Sequence, residues 1–385
     1  MSVKPFKVDI SDAELIHLSK KLALTRLPIS LNNAQWPETN GVTVRKMAEI
    51  LSHWQNAYSW RDEEAKINAS LPQYTTRISV KDFAPLDIHF VHSNPSSSDS
   101  KPTIPLLFIH GWPGSFIEVM KILPTLNDNG FNVVAPSLPG YGFSSYPDKA
   151  GFKHDHHAEV FHKLMHDVLG YKNGYVVQGG DWGHYIARCM GILYPEHCRA
   201  VHLNMFVMPE PPDLASKVEY TPFERVLLER ADWFRNTQCA YGMIQSTKPL
   251  TLAIALHDSP LGMLAWMADK LFCWTDEYPW TPTEIITWTL LHYFPGPATG
   301  FDMYRQQPGN ECLEDGLAAR EYCKVPTAVS AFPKELEVRP ASWCKKRVNL
   351  AQWVGHEDGG GHFAAWERPK VLAEEMAQFY RGVWQ

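Results

Sequence analysis

The chain has 385 residues, of which 45% are hydrophobic, and a formal net charge of -6, which is enough for one large core with insertions or for two domains. No run of lysine or arginine offers a phosphate-covered partner a landing surface, which argues against nucleic-acid binding. No apolar run reaches the roughly 18 residues that span a bilayer, and charges interrupt the opening stretch, so a soluble, cytoplasmic protein with no membrane anchor is expected.

The first hundred residues are read as two helices followed by two strands. Ser11 caps "SDAELIHLSKKLALTRL", with Glu14 three residues on as a capping-box partner. "TVRKMAEILSHWQNAYSW" follows as a second helix. "QYTTRISV" and "LDIHFVHS" alternate apolar and polar residues, as the strands of a hairpin do, and "SNPSSSDSKP" is a polar loop.

From Ile104 onward, short apolar runs bounded by glycine alternate with helical segments: "IPLLFIHGWPGS", "FNVVAPSLPGYGFS", "YVVQGGDWG" and "AVHLNMF". This predicts an α/β fold with a mostly parallel sheet covered on both faces. The alternation pauses over a helical, Trp- and Pro-rich stretch that reads as an inserted lid, then resumes with "VPTAVSAF", "RVNLAQW" and a closing helix. The expected organisation is 1–100 as an N-terminal segment, 101–208 and 309–385 as the two parts of the core, and 209–308 as the lid. The seven cysteines (Cys189, Cys198, Cys239, Cys273, Cys312, Cys323 and Cys344) are scattered and never spaced C-x-x-C, so free thiols are expected.

Gly179-Gly180-Asp181-Trp182-Gly183 fits a nucleophile elbow, a tight strand-to-helix turn in which side chains two residues either side of the nucleophile would collide. Asp181 stands at the nucleophile position. In this architecture two backbone N–H groups hold the developing oxyanion, one from the residue after the nucleophile and one from an earlier strand-end loop. Those are Trp182 and, in "HGWPGS", Trp112. His362 in "GGGHFAAWERP" has the place in chain order that the base requires. The acid that orients it should follow "VPTAVSAF", where Glu335 is available and Glu337, Glu357 and Asp358 are rivals on spacing. The run "HDHHAEVFHKLMH" puts His162 and His166 on one helical face, but nothing completes a metal site, so a solvated face is the simpler reading.

A carboxylate is a poor nucleophile at carbonyl carbon, but it can displace a leaving group from sp³ carbon to give an alkyl ester. That points to epoxides or alkyl halides, with water later attacking the carbonyl of the aspartyl ester.

Six ordered segments, "HGWPGS", "PSLPGYGFS", "QGGDWG", "TKPLTLAIALHDSPLG", "AFPKE" and "GGGHFAAWERP", resemble the signatures of the microsomal-type epoxide hydrolases, especially their soluble fungal-like branch. "RLP" and "YSWRDEEAKINASLPQYTT" are similar to that family's N-terminal meander. The resemblance implies an α/β-hydrolase fold that converts an epoxide and water to a vicinal diol. It also implies Asp181 as nucleophile, His362 as general base, Glu335 as charge-relay acid, and Tyr241 and Tyr304 as donors to the epoxide oxygen. No metal or organic cofactor is implied. The expected partners are a small apolar epoxide and water, and assembly as a homodimer is left open.

"VGHEDGGGH" carries two acids where relatives often have an arginine or fewer charges, and His356 also lies close to His362. Activity should fall toward low pH, starting from the reference histidine value of about 6.5. The aromatic residues Trp233, Phe234, Trp266, Trp274, Trp280 and Trp288 fit either an apolar substrate wall or packing within the lid. The rival functions are a haloalkane dehalogenase and a ligand receptor built on a hydrolase fold.

Overall fold

A computed structural model describes residues 2–28, 41–95, 103–214, 218–307 and 316–384. Cys312 and most of the polar loop after Ser93 lie outside the described residues.

Among the described residues, nine strands form one sheet: β1 (Lys4–Phe6), β2 (Gln73–Ile78), β3 (Leu86–Ser93), β4 (Ile104–Ile109), β5 (Phe131–Pro136), β6 (Tyr175–Gly179), β7 (Cys198–Leu203), β8 (Cys323–Ala331) and β9 (Val348–Gly355). Their spatial order is β1-β2-β3-β5-β4-β6-β7-β8-β9. The expected hairpin is present, with β2 antiparallel to β3, and a short strand not read from the sequence, β1, extends it. β3 joins β5 antiparallel, and from β5 to β9 every pairing is parallel. All side chains of β4 and β6 are buried, as a sheet covered on both faces demands.

The C-terminal helix Pro369–Val383 buries Leu372, Ala373, Met376, Phe379 and Tyr380, a stripe at three- and four-residue spacing. It packs on β7, β8 and the helix Val119–Asp128. Between β7 and β8 the described residues make seven helices, six of them from Pro222–Thr237 to Pro297–Gln306 and then the short Leu317–Arg320. The N-terminal helices pack against this insert. The His53 ring meets Thr283 Oγ1 at 2.9 Å, and the Tyr58 hydroxyl meets Thr287 Oγ1 at 3.1 Å. Glu14 N–H donates to Ser11 Oγ and so supplies the expected cap of the helix Asp12–Ala23. Among the described residues, no single helix is long and apolar enough to cross a membrane.

Candidate active site

β6 ends at Gly179, and the helix Trp182–Leu193 starts two residues after Gly180, with Asp181 between them at φ 44°. A side-chain-bearing residue held there is strained. The glycines explain how the turn closes. A Cβ on Gly179 would lie 2.2 Å from the Gly183 carbonyl oxygen, and one on Gly183 would lie 2.3 Å from that of Ile109. A Cβ on Gly111 would lie 2.0 Å from Asp181 Oδ1, so β4 can bring its loop against the carboxylate only if Gly111 has no side chain.

β4 pairs directly with β6, which brings the "HGWPGS" loop beside the elbow. Trp112 N–H donates to Asp181 Oδ1 at 2.8 Å, and the backbone N–H of Trp182 also acts on the carboxylate. On the other side, His362 Nε2 lies 3.5 Å from Asp181 Oδ2. His362 Nδ1 is 2.5 Å from Glu335 Oε1. Glu335 is held in turn by the Leu336 N–H, which donates to Oε1 at 2.7 Å, and by Asn204 Nδ2, which donates to Oε2 at 3.3 Å. Gln178 Nε2 donates to Asn204 Oδ1 at 2.7 Å, so the end of β6 supports Glu335 as well as the elbow. The acid loop and the histidine loop are tied by Lys334 N–H to the Gly360 carbonyl at 3.0 Å, and His362 N–H donates to the Trp274 carbonyl at 2.9 Å.

Electrostatics follow from burial. Burial raises the Asp181 carboxyl above its ordinary range, while His362 and the N–H groups of Trp112 and Trp182 pull it back. Burial by itself would lower His362; the charge and hydrogen bond of Glu335, with the charges of Asp181 and Glu118, reverse this and bring it to about 9. The reference value of about 6.5 expected from sequence therefore does not describe the unreacted site.

A cavity of about 560 Å³ is bordered by Asp181. Tyr241, from the helix Ala240–Thr247, and Tyr304, from the helix Pro297–Gln306, both line it, with ring centroids 5.8 Å apart. Burial, then the Asp181 charge, raises the Tyr241 phenol far above its usual range, and burial does the same to Tyr304, so both stay protonated donors. Trp112 stacks on Tyr241 at 4.9 Å, and Trp182 meets Tyr304 edge-on at 4.7 Å. Trp182, Met205, Val207, Phe234 and Leu336 make much of the wall apolar. Of the six aromatic residues singled out in the insert, Phe234 alone borders this cavity; Trp280 and Trp288 instead pack on each other and on Trp366.

The rivals of Glu335 are engaged elsewhere. Glu337 binds Arg235 at 2.7 Å and Arg339 at 2.5 Å, Asp358 pairs with Arg368, and Glu357 is exposed. His356 is turned away onto Glu375, 2.6 Å from it. His162 stacks on Tyr194 at 3.9 Å and bonds the Tyr175 hydroxyl, and among the described residues no group of three or more His, Cys, Asp or Glu could hold a metal ion. Sequence reading missed Asn204 and Gln178, which brace Glu335, and Glu118 beside Gly114. The signal for Glu118 is the glycine itself: a Cβ there would lie 1.5 Å from Glu118 Oε1.

Fold and site together define an α/β-hydrolase with a carboxylate, not a hydroxyl, at its strand-to-helix elbow. Residues 3–119 match the family described as epoxide hydrolase N terminus, and residues 104–246 match the alpha/beta hydrolase fold. The chain is 33% identical to epoxide hydrolase 1 of Sus scrofa over 415 residues, covering 98% of this chain and 88% of that protein. Among solved structures, it is similar to the epoxide hydrolase of Aspergillus niger, with a TM-score of 0.88, 34% identity, and coverage of 100% of this chain and 97% of that one. The juvenile hormone epoxide hydrolase of the silkworm Bombyx mori follows, with a TM-score of 0.87, 27% identity, and coverage of 99% and 95%. The chain belongs to the epoxide hydrolase family, and it is an enzyme of that class.

Proposed function

We propose that this enzyme opens an apolar epoxide to a vicinal diol in two steps, through an ester on Asp181. The observation that carries the reading is the placement of one carboxylate between the Trp112 N–H and His362 Nε2, on the wall of a chamber that also holds two protonated phenols. In the first step Asp181 Oδ2, the oxygen not bound by Trp112, attacks a ring carbon. The ring C–O bond breaks, and Tyr241 and Tyr304 hydrogen-bond the departing oxygen and give it a proton. In the second step His362, held in one tautomer by Glu335, takes a proton from water, and that water adds to the ester carbon Cγ. The oxyanion forms on Oδ1, which the Trp112 N–H faces, and the Trp182 N–H also acts on this carboxyl.

The helices Pro222–Gln306 serve as the lid over this chamber. Its volume of 560 Å³ and largely apolar wall suit a bulky hydrocarbon-like epoxide. Paired phenols favour an epoxide over an alkyl halide, because an alkoxide leaving group needs a proton and a halide does not. A receptor role has no use for the braced chain Asn204–Glu335–His362. Intact-mass analysis of His362→Gln after incubation with a panel of epoxides tests the reading. An adduct of substrate mass on Asp181 is expected, and its absence with every epoxide would sink it.

A further inference from the structure

Two cavities share Asp181 in their walls. The chamber of 560 Å³ carries Tyr241 and Tyr304. A second, of about 10 Å³, is lined by Glu118, Gly114, Gln178, Asn204 and His362. Among the residues lining the two, Asp181 is the one they share, and His362 borders the small cavity alone. Roughly 10–15 Å³ is the space that one water molecule requires, given two to four polar partners. The small cavity has both the size and the polar wall.

Glu118 is the acid on that wall with no part in the Asp181–His362–Glu335 chain. It closes the short turn Phe116–Glu118, and its carboxyl folds over Gly114, occupying the space a side chain at 114 would need. The side chain is half-buried and lines the small cavity. Burial first, opposed by His362 but joined by the charges of Asp181 and Glu335, pushes this carboxyl up to about 8. A carboxyl tuned in this way beside a reacting centre is a common mark of proton handling.

We propose that the small cavity seats the hydrolytic water and that Glu118 is its second anchor, holding one hydrogen while the other faces His362 Nε2. The proposal rests on the ester reading above. With both hydrogens engaged, a lone pair of the water is aimed at Asp181 Cγ. The water oxygen bonds to Cγ and one proton passes to His362. Collapse breaks the bond from Cγ to the alkyl oxygen, and His362 returns its proton to that oxygen, completing the diol. The hydrogen left on the regenerated carboxyl leaves through Glu118 and replaces the one donated by the tyrosine in the first step. The water sits in a cavity that Tyr241 and Tyr304 do not line, so a bulky epoxide in the larger chamber does not displace it.

The test is stopped-flow tryptophan fluorescence and quenched intact mass on full-length Glu118→Ala and Glu118→Gln, with an epoxide that alkylates His362→Gln. Absence of an adduct in His362→Gln would overturn the ester reading itself, separately from this one. For Glu118→Ala, alkylation should stay within about threefold of wild type while ester hydrolysis slows about tenfold or more, so that kcat and KM fall together and adduct accumulates. Glu118→Gln keeps an acceptor of the same shape and should fall between the two; it carries the test if the alanine variant does not fold. Unchanged ester hydrolysis, or equal slowing of both steps, overturns the proposal.

Discussion

His362 Nδ1 and Glu335 Oε1 stand 2.5 Å apart, and this contact raises the proton affinity of His362. Removing the charge with Glu335→Gln takes away the largest upward influence on His362. Ester hydrolysis should fall by roughly 10²–10⁴, the usual worth of general base catalysis, while alkylation changes far less. Single-turnover rates of the two steps, measured separately, check this.

The pH dependence has a definite sign. His362 acts as base only when neutral, and in the unreacted site it is raised to about 9, partly by the Asp181 charge. Ester formation removes that charge, so ester hydrolysis should rise with pH through a midpoint below 9 and fade in acid. Folding follows the same group. A folded value of about 9 against an ordinary 6.5 gives stability that is present below 6.5 and lost as pH rises through about 9. Thermal melts from neutral to alkaline pH should show that loss in wild type and a weaker one in His362→Gln.

Tyr241→Phe and Tyr304→Phe each leave one phenol facing the chamber. Each single variant should lower kcat/KM by about tenfold, and the double variant by roughly 10²–10⁴. The melting temperature of the double variant should stay near that of wild type, because each change removes one hydroxyl and no ring. Full epoxide turnover in the double variant would refute the assignment of the phenols.

Single turnover in H₂¹⁸O distinguishes attack by Asp181 from direct attack by water. In the ester route the diol leaves with an Asp181 oxygen and the water oxygen stays on the enzyme. Peptide mass analysis should therefore find the label on Asp181, and the first-turnover diol should be unlabelled. A labelled diol would point to direct water attack.

Two glycines predict opposite outcomes. Gly183→Ala drives a Cβ to within 2.3 Å of the Ile109 carbonyl, backbone that cannot yield without moving β4 from β6. It should destabilise the fold by about 3 kcal/mol or more. Gly382, in the C-terminal helix, meets nothing within 4 Å, so Gly382→Ala should stabilise by about 0.5–1 kcal/mol. Denaturant melts of the two variants measure both.

The elbow was legible because its chemistry is local. Gly179 and Gly183 flank Asp181 for a steric reason that acts over four residues of chain. The order of Trp112, Asp181, Glu335 and His362 follows from strands whose apolar runs could be read directly. Spacing left Glu335 level with Glu337, Glu357 and Asp358, and resemblance alone raised it. The structure separates them by partner, since Arg235 and Arg339 claim Glu337 and Arg368 claims Asp358. The insert tryptophans stayed open between a substrate wall and packing within the lid, because an apolar side chain looks the same in sequence whether it lines a cavity or fills a core.

By itself, then, the sequence determined the parallel sheet, the glycine turn and the carboxylate upon it, because steric exclusion and hydrophobic period act between near neighbours. Only the tertiary structure decided that Asp181 is approached by two separate cavities, that His362 borders one and the tyrosines the other, and that Glu118 faces the first. Those relations depend on burial and on contacts between residues distant in the chain, where the local dielectric and the available volume are set by the whole fold.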